Sequence, residues 1–252
     1  NVKTWQEGLN YRCNTLSPMC LRARAYLYMG EYAKALEASE AVLEKRNALQ
    51  NLTAGLLPNS YKSEENIQAL EYVMPTDYQK AGRVAPSLFS MYKAGDLRKN
   101  KYFKQQTASI ITLLKGGSNE YRCSFRTGEF YLISAECAVR TGNLPLAKER
   151  MHALLNARYQ QTQATQYCNE FDAMDKEHAL TEIFNERTRE LAFEGHRWFD
   201  LRRMDIGMRP TITHTFKQSD NTTATYVLTP NDERYTIRIP AAAVSANPKL
   251  SE

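Results

Sequence analysis

The chain has 252 residues, 24% of them charged and 42% hydrophobic, with a net charge of +5. That length buries a full core in one or two domains. Lysines and arginines are mixed with acids and form no basic run, which argues against a nucleic-acid partner. No apolar stretch approaches the length needed to cross a bilayer, and the longest cluster, Ile110-Ile111-Thr112-Leu113-Leu114, is strand-sized.

The opening Asn1-Val2-Lys3-Thr4-Trp5 is neither an initiator nor a signal peptide. Residues 17–45 read as a helical hairpin. Ser17 is the expected N-cap, Pro18 stands in the first turn, and Gly30 ends the first helix near Met29. A second helix runs from about Tyr32 to Lys45, with Ala35, Leu36, Ser39, Val42 and Leu43 on one face. Residues 48–126 form a long insertion. It is punctuated by Pro58-Asn59-Ser60, Pro75-Thr76-Asp77, Gly95-Asp96 and Gly116-Gly117-Ser118-Asn119, with a short helix expected over 84–92.

The hairpin pattern returns over 130–158, with Gly142-Asn143 at the turn. Aligning Gly30 with Gly142 superposes Ala23 on Ala135, Ala35 on Ala147 and Leu43 on Leu155. Gly followed by Ala five residues later is the spacing of a tetratricopeptide-type hairpin, in which small residues let two helices approach closely. Residues 160–169 are polar and read as a loop. Residues 178–204 lack proline and contain one glycine, so they read as one long helix that Gly195 allows to bend. Leu180, Phe184, Leu191, Trp198 and Leu201 mark its apolar face. Glu186, Glu190 and Glu194 stack four apart, which is unfavourable unless neutralised. Arginines three residues on pair Glu186 with Arg189, Glu194 with Arg197, and Asp200 with Arg203. Residues 211–217 alternate as a strand does. Residues 225–228 and 234–239 flank Thr229-Pro230-Asn231-Asp232-Glu233 and read as a short hairpin.

The run Arg189-Glu190-Leu191-Ala192-Phe193-Glu194-Gly195-His196-Arg197-Trp198-Phe199-Asp200-Leu201-Arg202-Arg203 resembles the signature helix of the SusD/RagB family, outer-membrane nutrient-binding lipoproteins of Bacteroidetes. Asp96-Leu97-Arg98 with Tyr102-Phe103, and the closing Ile239-Pro240 and Asn247-Pro248, are similar to segments of the same family. The resemblance implies a mainly α fold: one SusD-like domain over 1–252, with tetratricopeptide-like hairpins, long irregular insertions and a small β-hairpin near the C-terminus. It reads this chain as the C-terminal part of a longer protein whose N-terminal lipid anchor lies outside the sequence. It also implies capture of an oligosaccharide or a peptide and its delivery to a SusC-like TonB-dependent transporter at the cell surface, with no bond broken.

No phosphate-binding loop, nucleotide fingerprint, nucleophile elbow or zinc-protease motif occurs, and nothing implies a cofactor. The five cysteines and four histidines show no metal-ligand spacing. Glu190 and Glu194 lie side by side on a helix rather than across a cleft, and nearby arginines would hold both ionised; a structural ion-pair lattice is therefore expected rather than a glycosidase pair. The tyrosines of the insertion offer other chemistry, since a flat ring stacks on a sugar and its hydroxyl reaches the rim. Tyr72 and Tyr78, either side of Pro75-Thr76-Asp77, are the expected ligand-binding residues. The competing account of any one tyrosine is amphipathic packing at the edge of the core. A helical-repeat adaptor that binds only protein is the alternative function. A hydrolase using Glu190, Glu194 or Asp200 is a third.

Overall fold

The computed structural model describes residues 4–70, 83–108, 110–115, 124–247 and 249. They fall into two compact units, residues 1–197 and 198–252. The fold is mainly α, with small antiparallel strand pairs.

The first unit is built on two helical hairpins. Helix α1 (Leu16–Tyr28) and α2 (Tyr32–Lys45) are joined at Gly30, whose φ of +76° is the left-handed conformation glycine adopts without strain. Helix α1 starts before the expected Ser17 cap. The Asn14 side chain accepts from the Leu16 N–H at 2.9 Å, and the Ser17 hydroxyl accepts from the Asn14 N–H at 3.1 Å. Ser17 thus lies inside the first turn and returns the bond, as in a capping box. Helices α5 (Thr127–Arg140) and α6 (Leu144–Arg158) repeat the arrangement around Gly142, φ +86°, and the Asn143 side chain caps α6.

The residues superposed by the sequence alignment are equivalent in burial. Ala23, Ala135, Ala35, Ala147, Leu43 and Leu155 are all interior. The two hairpins are neighbours despite the insertion between them, with α2 lying against α5. Leu16, Cys20, Leu27, Ala38, Val42, Phe130, Ile133 and Cys137 interdigitate there. Each large aliphatic or aromatic side chain in that seam contributes about 1.5–3 kcal/mol by leaving water. Two ion pairs clip its flanks: Arg24 with Glu129 at 2.6 Å and Arg150 with Glu40 at 2.5 Å.

The insertion has little regular structure. Strand β1 (Asn66–Gln68) pairs antiparallel with β4 (Phe125–Arg126), so Asn66 faces Arg126. Helix α3 (Pro86–Ser90) falls inside the expected 84–92, and α4 (Lys99–Tyr102) leads into β2 (Phe103–Gln105), which pairs with β3 (Ile111–Leu113). Tyr92, Tyr102, Phe103, Ile111 and Leu113 form their own core with Val84.

Two expectations after the second hairpin are corrected. Residues 160–169 are not a loop: α7 (Gln161–Asp172) is a helix that packs on α6 and buries Ala164, Cys168 and Phe171. The expected helix 178–204 is two helices, α8 (Lys176–Glu190) and α9 (Arg197–Arg203), separated by a turn over 191–195. The reason is local. The Glu190 carbonyl, which would accept the next helical bond, is taken by Arg126 Nη2 at 2.9 Å and Lys115 Nζ at 3.2 Å. The Glu194 N–H turns to Leu191 O instead, Phe193 adopts φ +61°, and Gly195 adopts φ +84°.

In the second unit β5 (Ile212–Lys217) pairs antiparallel with β6 (Thr223–Leu228), setting His214 opposite Tyr226. The expected pairing of 225–228 with 234–239 is not made. Residues 233–235 are a 3-10 turn, because the Asp232 side chain accepts the Arg234 N–H and winds the chain. Helix α10 (Ala241–Ala246) follows Pro240.

Candidate functional site

Helix α8 turns Glu186 and Glu190, stacked four apart, into the interior of the first unit. Arginines from three other segments meet them. The Glu190 carboxylate accepts from Arg158 Nε at 2.8 Å and Nη2 at 2.9 Å, from Arg126 Nη1 at 2.6 Å and from Arg98 Nη1 at 2.8 Å. Glu65, one residue before β1, accepts from Arg126 Nη1 at 2.8 Å, from Arg158 Nη2 and from the Gln50 N–H at 3.0 Å. Arg98 also holds Asp96 at 2.8 Å and Glu186 at 2.5 Å, and Glu186 in turn holds Arg189 at 2.6 Å. Glu194 closes the far end on Arg126 at 2.8 Å and Lys115 at 2.5 Å.

Five acids (Glu65, Asp96, Glu186, Glu190, Glu194) thus meet five bases (Arg98, Lys115, Arg126, Arg158, Arg189), and none of these side chains is more than 4% exposed. When all are ionised the cluster is neutral. Neutrality and saturation of the carboxylate oxygens are what such a cluster needs, because a buried charge without a partner costs several kcal/mol. Tyrosine rings wall it off: Tyr102 lies 4.1 Å from Lys115 Nζ, and Arg98 stands over Tyr159. No room is left even for a methyl at Gly128. A Cβ there would sit 2.6 Å from Arg126 Nη1, 2.8 Å from Glu65 Oε2 and 2.9 Å from Glu190 Oε1.

The described residues that flank 71–82 and 116–123 are anchored, and one of them, Lys115, belongs to the cluster. Residues 71–82 depart after Leu70, whose N–H donates to Ser124 Oγ at 3.2 Å, and return at Val84, whose N–H donates to Ile111 O at 2.9 Å. Residues 116–123 depart from Lys115, pinned on Glu194, and return at Ser124, whose carbonyl accepts from Arg24 Nη2 at 2.8 Å. Tyr72 and Tyr78, the expected ligand residues, lie outside the described residues, as does Tyr121. Of the other insertion tyrosines, Tyr92 and Tyr102 are interior, and the Tyr92 hydroxyl donates to Arg189 O at 2.6 Å. Tyr61 is half-buried, with its hydroxyl on Gly8 O. For Tyr92 and Tyr102 the packing account holds.

The family model described as "SusD family" matches residues 24–252. The chain belongs to the SusD family. Among solved structures, a SusD superfamily protein from Bacteroides fragilis is 20% identical with a TM-score of 0.74, covering 100% of this chain and 60% of its own. A SusD-like carbohydrate-binding protein from Bacteroides vulgatus is 20% identical with a TM-score of 0.68, covering 98% and 61%. A SusD superfamily protein from Bacteroides thetaiotaomicron is 19% identical with a TM-score of 0.67, covering 93% and 59%. The chain therefore spans about three fifths of the length of these structures. No curated protein matches it.

Within this SusD-family chain the acids of the signature segment are structural. Burial raises the Glu190 carboxyl, but Arg158, Arg126 and Arg98 outweigh it and hold it well below the ordinary carboxylate range. Burial likewise opposes Glu194, yet Arg126 and Lys115 hold it at about 2. At neutral pH neither has a proton to give, and neither faces a cleft. The expected pairs Glu186–Arg189 and Asp200–Arg203 form, at 2.6 Å and 2.8 Å. The expected Glu194–Arg197 pair does not: Arg197 Nη1 donates to Thr188 Oγ1 at 2.8 Å. Among the described residues no group of three His, Cys, Asp or Glu side chains is arranged to hold a metal, and no helix is long and apolar enough to cross a membrane. Sequence reasoning missed Arg98, Lys115, Arg126 and Arg158 as partners of Glu190 and Glu194, and Glu65 as the acid that shares Arg126 and Arg158 with Glu190. The available signals were weak: a lysine directly after an apolar strand, and an arginine following Leu154-Leu155 on the buried side of its helix.

Proposed function

We propose that this chain is part of a cell-surface nutrient-binding protein that captures an oligosaccharide or a peptide and delivers it, unaltered, to a SusC-like TonB-dependent transporter in the outer membrane. Membership of the SusD family supports this reading. So does the solved relative described as carbohydrate-binding. The single observation that carries it is the sealed ion cluster, which holds Glu190 and Glu194 ionised and out of reach and anchors Lys115, the residue before 116–123. Binding residues carried by a rigid scaffold let a binding protein combine variable specificity with constant support.

Tyr72 and Tyr78 are the proposed stacking residues. Aromatic stacking is worth about 0.5–1.5 kcal/mol per ring beyond area burial, so losing both rings weakens binding roughly five- to a hundredfold. In the full-length protein, Tyr72→Ala with Tyr78→Ala is expected to lower affinity for the cognate ligand, found by glycan-array and peptide-pool screening, at unchanged melting temperature. Unchanged affinity, or collapse of the fold, would place these tyrosines in the core. Cleavage products after incubation with the ligand would overturn the non-enzymatic reading.

A further inference from the structure

The second unit carries a concavity of about 420 Å³ between α9 and the 231–236 turn. Its charges are distributed unevenly. Asp232 accepts from the Arg234 backbone and guanidinium, with the ion pair at 2.6 Å, and Glu233 is paired with Arg238. Both acids of the lining are thus neutralised by arginines that do not line it. Among the described residues, neither of the two arginines that do line it meets a carboxylate. Arg209 donates only to carbonyls, those of Met204 at 3.2 Å, Pro230 at 3.2 Å and Arg202 at 2.9 Å, and stands 4.7 Å over the Tyr235 ring. The exposed Arg202 guanidinium makes no hydrogen bond or ion pair among the described residues. Beside it the Asn231 carboxamide and the Thr236 hydroxyl make no hydrogen bond among the described residues. Tyr235 is held in place by stacking on Trp198, with centroids 5.7 Å apart.

We infer that this concavity binds a uronic-acid residue: a monosaccharide-sized polyol bearing one carboxylate. Arg202 takes the carboxylate as a two-pronged guanidinium donor, and Arg209 supplies a second positive field from behind. Asn231 and Thr236 serve ring hydroxyls, and the Glu233 carboxylate has acceptor capacity for a sugar O–H. A dianion such as phosphate is disfavoured because it does not offer the several hydroxyls that Asn231, Thr236 and Glu233 can meet. The volume suits one or two sugar residues. This assignment does not rest on the Tyr72–Tyr78 reading and survives its failure.

The test is saturation-transfer NMR and calorimetry on the whole chain, with galacturonate as probe and methyl galactoside, acetate and phosphate as comparators. Galacturonate is expected to bind, to weaken as salt is added, and to bind about tenfold more weakly to Arg202→Gln, the scale of one lost charge-assisted hydrogen bond. Asn231→Ala is expected to weaken it less, and both variants to melt with the parent. The assignment is overturned if galacturonate binds no better than methyl galactoside, if acetate or phosphate competes equally, or if Arg202→Gln binds unchanged.

Discussion

Glu194 and Arg197 sit three residues apart in a helical-looking run, yet the structure gives them different partners. Glu194 holds Arg126 and Lys115, while Arg197 holds Thr188. A double-mutant cycle separates the two accounts. Glu194→Gln with Arg197→Ala is expected to show coupling within about 0.5 kcal/mol of zero, whereas Glu194→Gln with Arg126→Ala is expected to show coupling of about 1–3 kcal/mol in urea unfolding. Strong Glu194–Arg197 coupling would contradict the observed partners. The same carboxylate has a pH signature. Its pKa of about 2 in the folded chain lies below its ordinary 4.5. The stabilisation is therefore fully present above pH 4.5 and is lost as pH falls through 2. It is on the order of 3 kcal/mol. Glu194→Gln is expected to flatten the fall of melting temperature between those limits. A parallel curve in the variant would show that Glu194 is not held ionised.

At the scale of elements, glycine reports where helices meet charge. Alanine in a helix is ordinarily better than glycine by about 1 kcal/mol. Gly128 in the first turn of α5 should reverse that sign, because its missing Cβ is the space that Arg126, Glu65 and Glu190 occupy. Gly128→Ala is expected to lower stability by about 1–3 kcal/mol. Gly142→Ala, which meets no atom within 4 Å and is strained only through its positive φ, is expected to lower it by less, about 1 kcal/mol. Denaturant midpoints that reversed this order would remove Gly128 from the cluster. Elements were legible in the sequence where one strong local signal decided them. The two hairpins announced themselves by Gly30 and Gly142 with small residues at fixed offsets. Helix α7 did not, because Gln and Thr hide an apolar face of only Ala164, Cys168 and Phe171. Strand β6 pairs with β5 and not with 234–239 because, although Pro230-Asn231-Asp232 signals a turn as strongly as Ser219-Asp220-Asn221, only the latter joins two strands.

At the scale of the molecule, the arginine-rich signature segment identified the family, and the SusD family model confirms it. The arrangement around that segment was not legible. The partners of Glu190 come from residues 98, 126 and 158, and no local spacing records which distant cation meets which carboxylate. The ten-charge cluster also bears on how the first unit assembles. Its members enter from six separate stretches of chain, and leaving out any one strands an ion in a dry interior. Half-built versions are therefore higher in free energy than either the open chain or the finished fold. Docking of α8, closure of β1 on β4 and burial of Lys115 should occur as one cooperative event rather than in sequence. The backbone amides of Asn66, Arg126 and Glu190 should then exchange with solvent deuterium at a common opening free energy, equal to that of unfolding the unit. Separate exchange of β1 and β4 at a much lower free energy would mean that the charges can part before the helices do.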